Sequence, residues 1–271
     1  MPGGFKVLVM TDLEGVACAM KLDVWDPRDA AAAFAEYTKI LAAEANAAAA
    51  AAFDAGAEEV LLVEGHANSF RGHLEDFDPR AGIAMGVPAY ELAERRYDAL
   101  LLVGYHAMAD VEKGILSHSH SNKTYVSTWL NGTLVGEIGH LAALFGDCGT
   151  PLVFASGEAA ACREAEDLVD GVVTASVKEA IHRFGGISLS PKAAADLIRR
   201  RAREAVEKRE EIAPLRFDPP IEFVVEFSTT DPVERNTLVP GIEAAGPRSM
   251  IIRGESVTQV MKLFNLTARI V

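Results

Sequence analysis

Cysteine, long apolar runs and positive charge are all scarce in this chain, and each shortage excludes something. Its three cysteines, Cys18, Cys148 and Cys162, lie far apart with no CxxC spacing. An odd count cannot pair fully within one chain, which excludes a disulfide scaffold and predicts a reduced, cytoplasmic protein. The most apolar stretch, residues 47–53, falls far short of the ~20 residues a membrane helix needs, so no membrane partner is expected. The opening MPGGFKVLVM is too short and too lightly charged for a secretory signal. Lys and Arg number 26 against 39 Asp and Glu, a net charge of −13. Phosphate backbones need clustered cations, so a nucleic-acid partner is excluded. Neither GxxxxGK(S/T) nor GxGxxG occurs, so nucleotide-dependent chemistry has no motif to stand on.

What is present is a globular composition. Over 271 residues the chain is 49% hydrophobic and 24% charged, enough apolar surface for a real core. Short apolar runs at residues 5–10, 59–63, 99–103, 151–155 and 172–175 alternate with helical segments at 30–55, 88–96 and 158–169. Runs that are apolar throughout, rather than alternating, suit parallel strands covered on both faces. The expected fold class is therefore α/β: an open, mostly parallel sheet with helices on both faces. The segment 124–135 breaks the rhythm, with Asn131-Gly132 predicting a tight hairpin, read as an antiparallel edge or an oligomer contact. Ser190-Pro191 opens a long helix to about residue 211, with Ser190 as N-cap. Strands at 221–227 and 249–252, a turn at 231–235 and a helix at 256–264 follow. Residues 1–187 are thus read as an α/β metal-binding catalytic domain. Residues 188–271 are read as a smaller C-terminal α+β domain contributing to oligomer and pocket.

The informative polar residues sit where apolar runs end. The first run leads into Asp12 and Glu14, the second into His66 and the third into His106. Ligands of open α/β sheets bind beyond the carboxyl ends of the strands, so these four groups converge on one crevice. Glu137 follows the hairpin at the start of a helix over 137–145. Carboxylates and imidazoles in this number suit a pair of divalent metal ions, and one carboxylate can bridge the two. Without cations, three buried carboxylates would repel one another. Taken singly, an Asp-x-Glu is also a solvated turn, and a loop histidine is also a structural one. The convergence is what favours metal. His118 lies in the loop after the third run and can serve as a general base. His120 reads as part of a polar surface loop. His73, His140 and His182 read as structural, although His140, one turn after Glu137, is an alternative ligand.

The ordered motifs MTDLEG, EGHANS, LLVGYHA, GILSHS and NGTLVGEIG, with VTASVKEAI and LSP beyond them, resemble the D-aminopeptidase family M55 of zinc peptidases. The similarity spans nearly the whole chain. It implies an α/β fold, two zinc ions per chain and a ring-like homodecamer enclosing the active sites. It also implies that Asp12 bridges the metals, that Glu14 and His66 complete one site and His106 and Glu137 the other, and that His118 is the catalytic histidine. The chain departs from the family where Met10 or Thr11 replaces a serine, where it reads EGH at 64–66, and where one extra residue separates His106 from His118. These changes spare the ligands and alter the pocket. The expected function is hydrolysis of the N-terminal residue of short peptides, D-residues included, by a metal-activated water. Another dinuclear metallohydrolase (amidase or phosphoesterase), a small-ligand-binding protein and a structural ring component are the alternatives.

Overall fold

The computed structural model describes residues 4–21 and 27–267, so the outermost residues of both predicted segments lie outside the described residues. In chain order it forms β1 (Phe5–Thr11), α1 (Pro27–Asp54), β2 (Ala57–Glu64), β3 (Gly82–Ala84), α2 (Ala89–Ala93) and β4 (Ala99–Tyr105). Next come β5 (Tyr125–Leu130), β6 (Thr133–Leu134), α3 (Glu137–Asp147), β7 (Leu152–Glu158), α4 (Ala159–Leu168), β8 (Val173–His182) and β9 (Gly185–Ser188). The chain ends with α5 (Pro191–Glu207), β10 (Ile221–Phe227), α6 (Asp231–Asn236), β11 (Ile242–Gly246), β12 (Ser249–Gly254) and α7 (Val257–Thr267).

Seven strands form the main sheet in the order β3-β2-β1-β4-β7-β8-β9. Every neighbouring pair is parallel except β8 with β9. The chain starts in the middle, winds outward to β3, then returns to β4 and winds the other way. The topological switch point therefore lies between β1 and β4. Every residue of β4 is buried, as parallel strands covered on both faces require. Helices α1 and α5 pack on each other and on the sheet, while α3 and α4 pair against β7. The alanines of α1 carry no rotamer entropy to lose and let its axis approach the strands closely, so Ala45, Ala48, Ala49 and Ala52 are fully buried. Ser190 caps α5 by accepting from the Ala193 N–H, and the helix stops at Glu207, short of the expected end, with a single 3-10 turn over Arg209–Glu211.

A second, five-stranded antiparallel sheet runs β11-β12-β10-β5-β6. The expected hairpin is present, with Asn131 and Gly132 at φ 46 and 80, as a type I′ turn demands. Within it β5 is paired on both sides and β6 forms an antiparallel edge of the sheet, as expected. This sheet therefore draws strands from both sides of residue 188. Short strands β3, β9 and β11 carry too few residues for a periodic signal. No described helix is long and apolar enough to cross a membrane.

Two backbone devices shape the switch point. Asp12 N–H donates to Val103 O and Gly15 N–H to Gly104 O, lacing the end of β1 to the end of β4. Gly104 sits at φ 79 with the Asp12 carbonyl only 2.1 Å from where a Cβ would stand. The strand register slips here, and the bulge re-aims Tyr105 and His106. Gly132 has the same φ (80) but nothing within 4 Å. Gly104→Ala is expected to cost about 2 kcal/mol more than Gly132→Ala, because both pay left-handed strain but only the first overpacks against backbone. Urea unfolding of the two variants measures the difference; equal stabilities would contradict it.

Candidate metal centre

Each predicted site residue stands at the end of an element that delivers it. Asp12 and Glu14 follow β1, His66 follows β2, His106 follows β4, and Glu137 opens α3 behind Gly136. The helix N-terminus favours a carboxylate at Glu137. All five meet in the crevice. His106 Nε2 lies 3.3 Å from Asp12 Oδ2 and 3.4 Å from Glu137 Oε1, and His66 Nε2 lies 3.3 Å from Glu14 Oε1. Ligand atoms of Asp12, Glu14 and His106 fall within 4.8 Å of one another, as do those of His106, His118 and Glu137. The His118 ring stacks on His106, with centroids 4.0 Å apart and planes 9° from parallel.

Two of the imidazoles, His106 and His118, are oriented by their second nitrogens. His106 Nδ1 lies 2.9 Å from the Ala107 carbonyl and His118 Nδ1 lies 2.7 Å from that of Leu116. A carbonyl only accepts, so Nδ1 donates in both rings and Nε2 is left to face the carboxylates. Asp12 Oδ1 accepts from the Leu13 N–H at 2.9 Å, but Asp12 Oδ2 and Glu14 Oε2 are buried and accept no hydrogen bond. A buried, unpaired carboxylate oxygen is costly.

Positive charge is what the site demands. Burial and the neighbouring Glu14 push the Asp12 carboxyl up to about 7, against the pull of His106. Burial also opposes charge on Glu14, but the His66 hydrogen bond and the charges of His106, His66 and His118 outweigh it and hold that group at about 2. Burial disfavours a cation at His66, yet Glu14 and Asp12 raise it to about 9. His106 is raised well above its ordinary range by Asp12 and Glu137 despite its burial. His118 is lowered by burial and by His106, which leaves its Nε2 free to take a proton.

A buried scaffold that sequence reasoning missed holds the loops in place. Glu158, at the end of β7, accepts from Ala107 N at 2.8 Å and Ile115 N at 2.6 Å. Glu164 accepts from Gly136 N at 3.0 Å, and a Cβ at residue 136 would stand 2.7 Å from its Oε1. Lys178 donates to the carbonyls of Glu14 and Ala19, and Glu44 accepts from Ala17 N at 2.9 Å. The only signal in the sequence was positional: Glu158 also ends a strand. Burial holds Lys178 down to about 8 although Glu158, Glu44 and Glu14 surround it.

The remaining histidines divide. His73 bonds Thr38 and Asp76, and His182 is exposed. His140 is buried with both ring nitrogens engaged by His120 and Thr128, which removes it as a ligand. His120 lies exposed in its loop, as expected, and it also reaches the site. Its N–H donates to Glu137 Oε1 at 2.7 Å, and it lines a cavity of about 520 Å³ beside the crevice. Asp12, Glu137, Tyr90, Leu144, Met261 and Phe264 also line this cavity.

Carboxylates with an orphaned oxygen each, faced by imidazole Nε2 atoms, fit divalent cations with a preference for mixed N and O ligands, zinc among them. In the cation-free chain protons occupy this role, so Zn²⁺ uptake is expected to release protons and to weaken as pH falls below the His66 value of about 9. Calorimetric titration in two buffers of different ionisation enthalpy reads that release; uptake without proton release would contradict it.

Comparison with known proteins places this geometry. Residues 5–266 match the peptidase M55 family, described as D-aminopeptidase. The chain is 32% identical over 210 residues to a D-aminopeptidase of Bacillus subtilis strain 168, covering 75% of each. It superposes with a TM-score of 0.86 and 25% identity, over 97% of both chains, on the structure of the Zn-dependent D-aminopeptidase DppA from Bacillus subtilis, a self-compartmentalizing protease. The chain belongs to the peptidase M55 family.

Proposed function

We propose that this chain is a zinc-dependent aminopeptidase that removes the N-terminal residue, in the D-configuration, from short peptides. The observation that carries the reading is the pair of buried oxygens without a hydrogen bond, Asp12 Oδ2 and Glu14 Oε2, on carboxylates that the Nε2 atoms of His106 and His66 face at the switch point. The family and the Zn-dependent relative support it. Two zinc ions per chain are assigned to Asp12, Glu14, His66, His106 and Glu137, with Asp12 shared between the two sites. A bound zinc pair supplies Lewis acidity toward a peptide carbonyl and acidifies water.

The chain's own groups do the rest. Asp12, reaching the crevice from the end of β1, lies between Glu14 on one side and the His106–Glu137 pair on the other. The Ala107 carbonyl fixes the His106 ring, so Nε2 is presented without a search over rotamers. His118 is the catalytic residue: its Nε2, 4.0 Å from Glu137 Oε1, takes the proton from the attacking water and returns one to the departing amine. The cavity seats the substrate. Neither lysine nor arginine is among its lining residues, so the cavity itself offers no cationic side chain to a substrate. In this reading residues 1–187 form the catalytic domain. Residues 188–271 form the smaller one, which supplies Met261, Phe264 and Asn265 to the cavity wall.

A homodecameric ring is the proposed assembly, in keeping with the relative described as self-compartmentalizing. Exposed Ile181, Phe184 and Ile187 on the β8–β9 hairpin give it apolar surface to bury. A cytoplasmic location agrees with three free cysteines.

Two variants test the assignment. Asp12→Ala is expected to lose both ions, read by metal analysis; two ions per chain retained would remove its shared role. His118→Ala is expected to keep zinc and to lose at least about 100-fold in kcat on matched D-aminoacyl substrates, the usual scale of acid–base catalysis. Unchanged turnover would remove His118 from the mechanism. Equal hydrolysis of L-aminoacyl partners would overturn the stereochemical part of the reading.

A further inference from the structure

A chain of polar groups behind the cavity has no part in the scheme above. Thr128 and His140 are almost wholly buried, and Tyr125, Phe223 and Phe264 surround the His120–His140 pair edge-on or tilted. The two imidazoles lie nearly parallel, 8° apart, with His120 Nε2 at 2.8 Å from His140 Nδ1. His140 Nε2 is 2.9 Å from Thr128 Oγ1, and Thr128 Oγ1 donates to the Val135 carbonyl at 2.6 Å. Directions follow from that last bond. The carbonyl consumes the single hydroxyl proton, so Thr128 can only accept from His140 Nε2–H. His140 Nδ1 is then a bare acceptor, and His120 Nε2 must donate to it. In a neutral His120 the remaining nitrogen, Nδ1, is an acceptor with no described partner.

This relay is buried at Thr128 and His140, where it holds its direction, and it reaches the surface at His120. It ends on a residue that lines the cavity and whose N–H touches Glu137, next to the proposed metals. His120 holds this place with a left-handed backbone, φ 57, a strained conformation for a side chain of this kind. An acceptor fixed there meets only donors. A peptide lying with its carbonyl at the metals brings backbone N–H groups, whereas an ester or a phosphoester brings none.

We propose that His120 binds substrate, its Nδ1 receiving a backbone N–H of the peptide, and that His140 and Thr128 are positioning residues that hold His120 in this tautomer. The proposal rests on the aminopeptidase reading and deepens it: the preferred substrates are peptides with a free N–H beside the scissile carbonyl, and their apolar side chains lie against Tyr125 and Phe264.

The test uses the zinc-loaded chain with a D-leucyl tripeptide, in wild type, His120→Leu, Thr128→Val and Thr128→Ser. His120→Leu is expected to keep its zinc and to raise KM about tenfold, the scale of one hydrogen bond, with a smaller change in kcat. Thr128→Val should raise KM less, and Thr128→Ser, which keeps the hydroxyl, should restore it. Methylating one of the two backbone nitrogens flanking the scissile carbonyl should weaken the wild type and leave His120→Leu unaffected. Long-range ¹⁵N NMR should find His120 protonated at Nε2 and bare at Nδ1, a preference lost in Thr128→Val, and its Nδ1 resonance should move when peptide binds. A protonated Nδ1, an unchanged KM in His120→Leu, or equal behaviour of the two Thr128 variants would overturn the proposal. If the wild type cleaves no peptide, the aminopeptidase reading fails. The Nδ1 response to added peptide then decides the His120 contact by itself, and an unmoved resonance overturns it.

Discussion

Three carboxylates, two of them buried and the third half-buried, crowd the end of a parallel sheet, and their mutual repulsion is the constraint on which the rest of the molecule turns. Asp12, Glu14 and Glu137 share a crevice with little water, and two of their oxygens accept no hydrogen bond. Such a cluster is stable only if positive charge stands among the oxygens. The carboxylates raise His66 and His106 toward their charged forms, and a divalent cation would meet the same need. Catalytic competence and folding stability therefore draw on one electrostatic source.

The fold concentrates the charges by backbone means. Beginning in the centre of its sheet, the chain leaves a switch point between β1 and β4, and the bulge at Gly104 swings His106 across it toward Asp12. Loops of this length would wander without anchors. Glu158, Glu164 and Lys178 supply them, each buried and each bonded to backbone groups of the loops that carry the candidate ligands. Charged residues at such positions act on geometry: they satisfy loop N–H and C=O groups that have no sheet partner.

Legibility in the sequence followed the range of the interactions. The long parallel strands could be read because each is a short apolar run ending in polar residues, and those same ends named Asp12, Glu14, His66 and His106. The Asn131-Gly132 turn was equally local. The pairing of β5 with β10 was not, since Phe223 and Leu130 meet only through tertiary structure. Glu158 and Lys178 were invisible for a related reason: in a chain with 39 acidic residues, one more carboxylate reads as solvent-facing. The exposed loop position of His120 was legible, but its contacts were not, because they come from α3, β5 and α7, which the loop sequence around it does not report. The resemblance of the motifs to a known family carried what periodicity could not, namely the membership in the peptidase M55 family.

Anomalous diffraction at the zinc edge, on crystals of the zinc-loaded chain, addresses the central claim most directly. The account predicts two peaks about 3.5–4 Å apart, flanking the Asp12 carboxylate, one bounded by Glu14 and His66 and the other by His106 and Glu137. A single peak, or peaks away from Asp12, would contradict it.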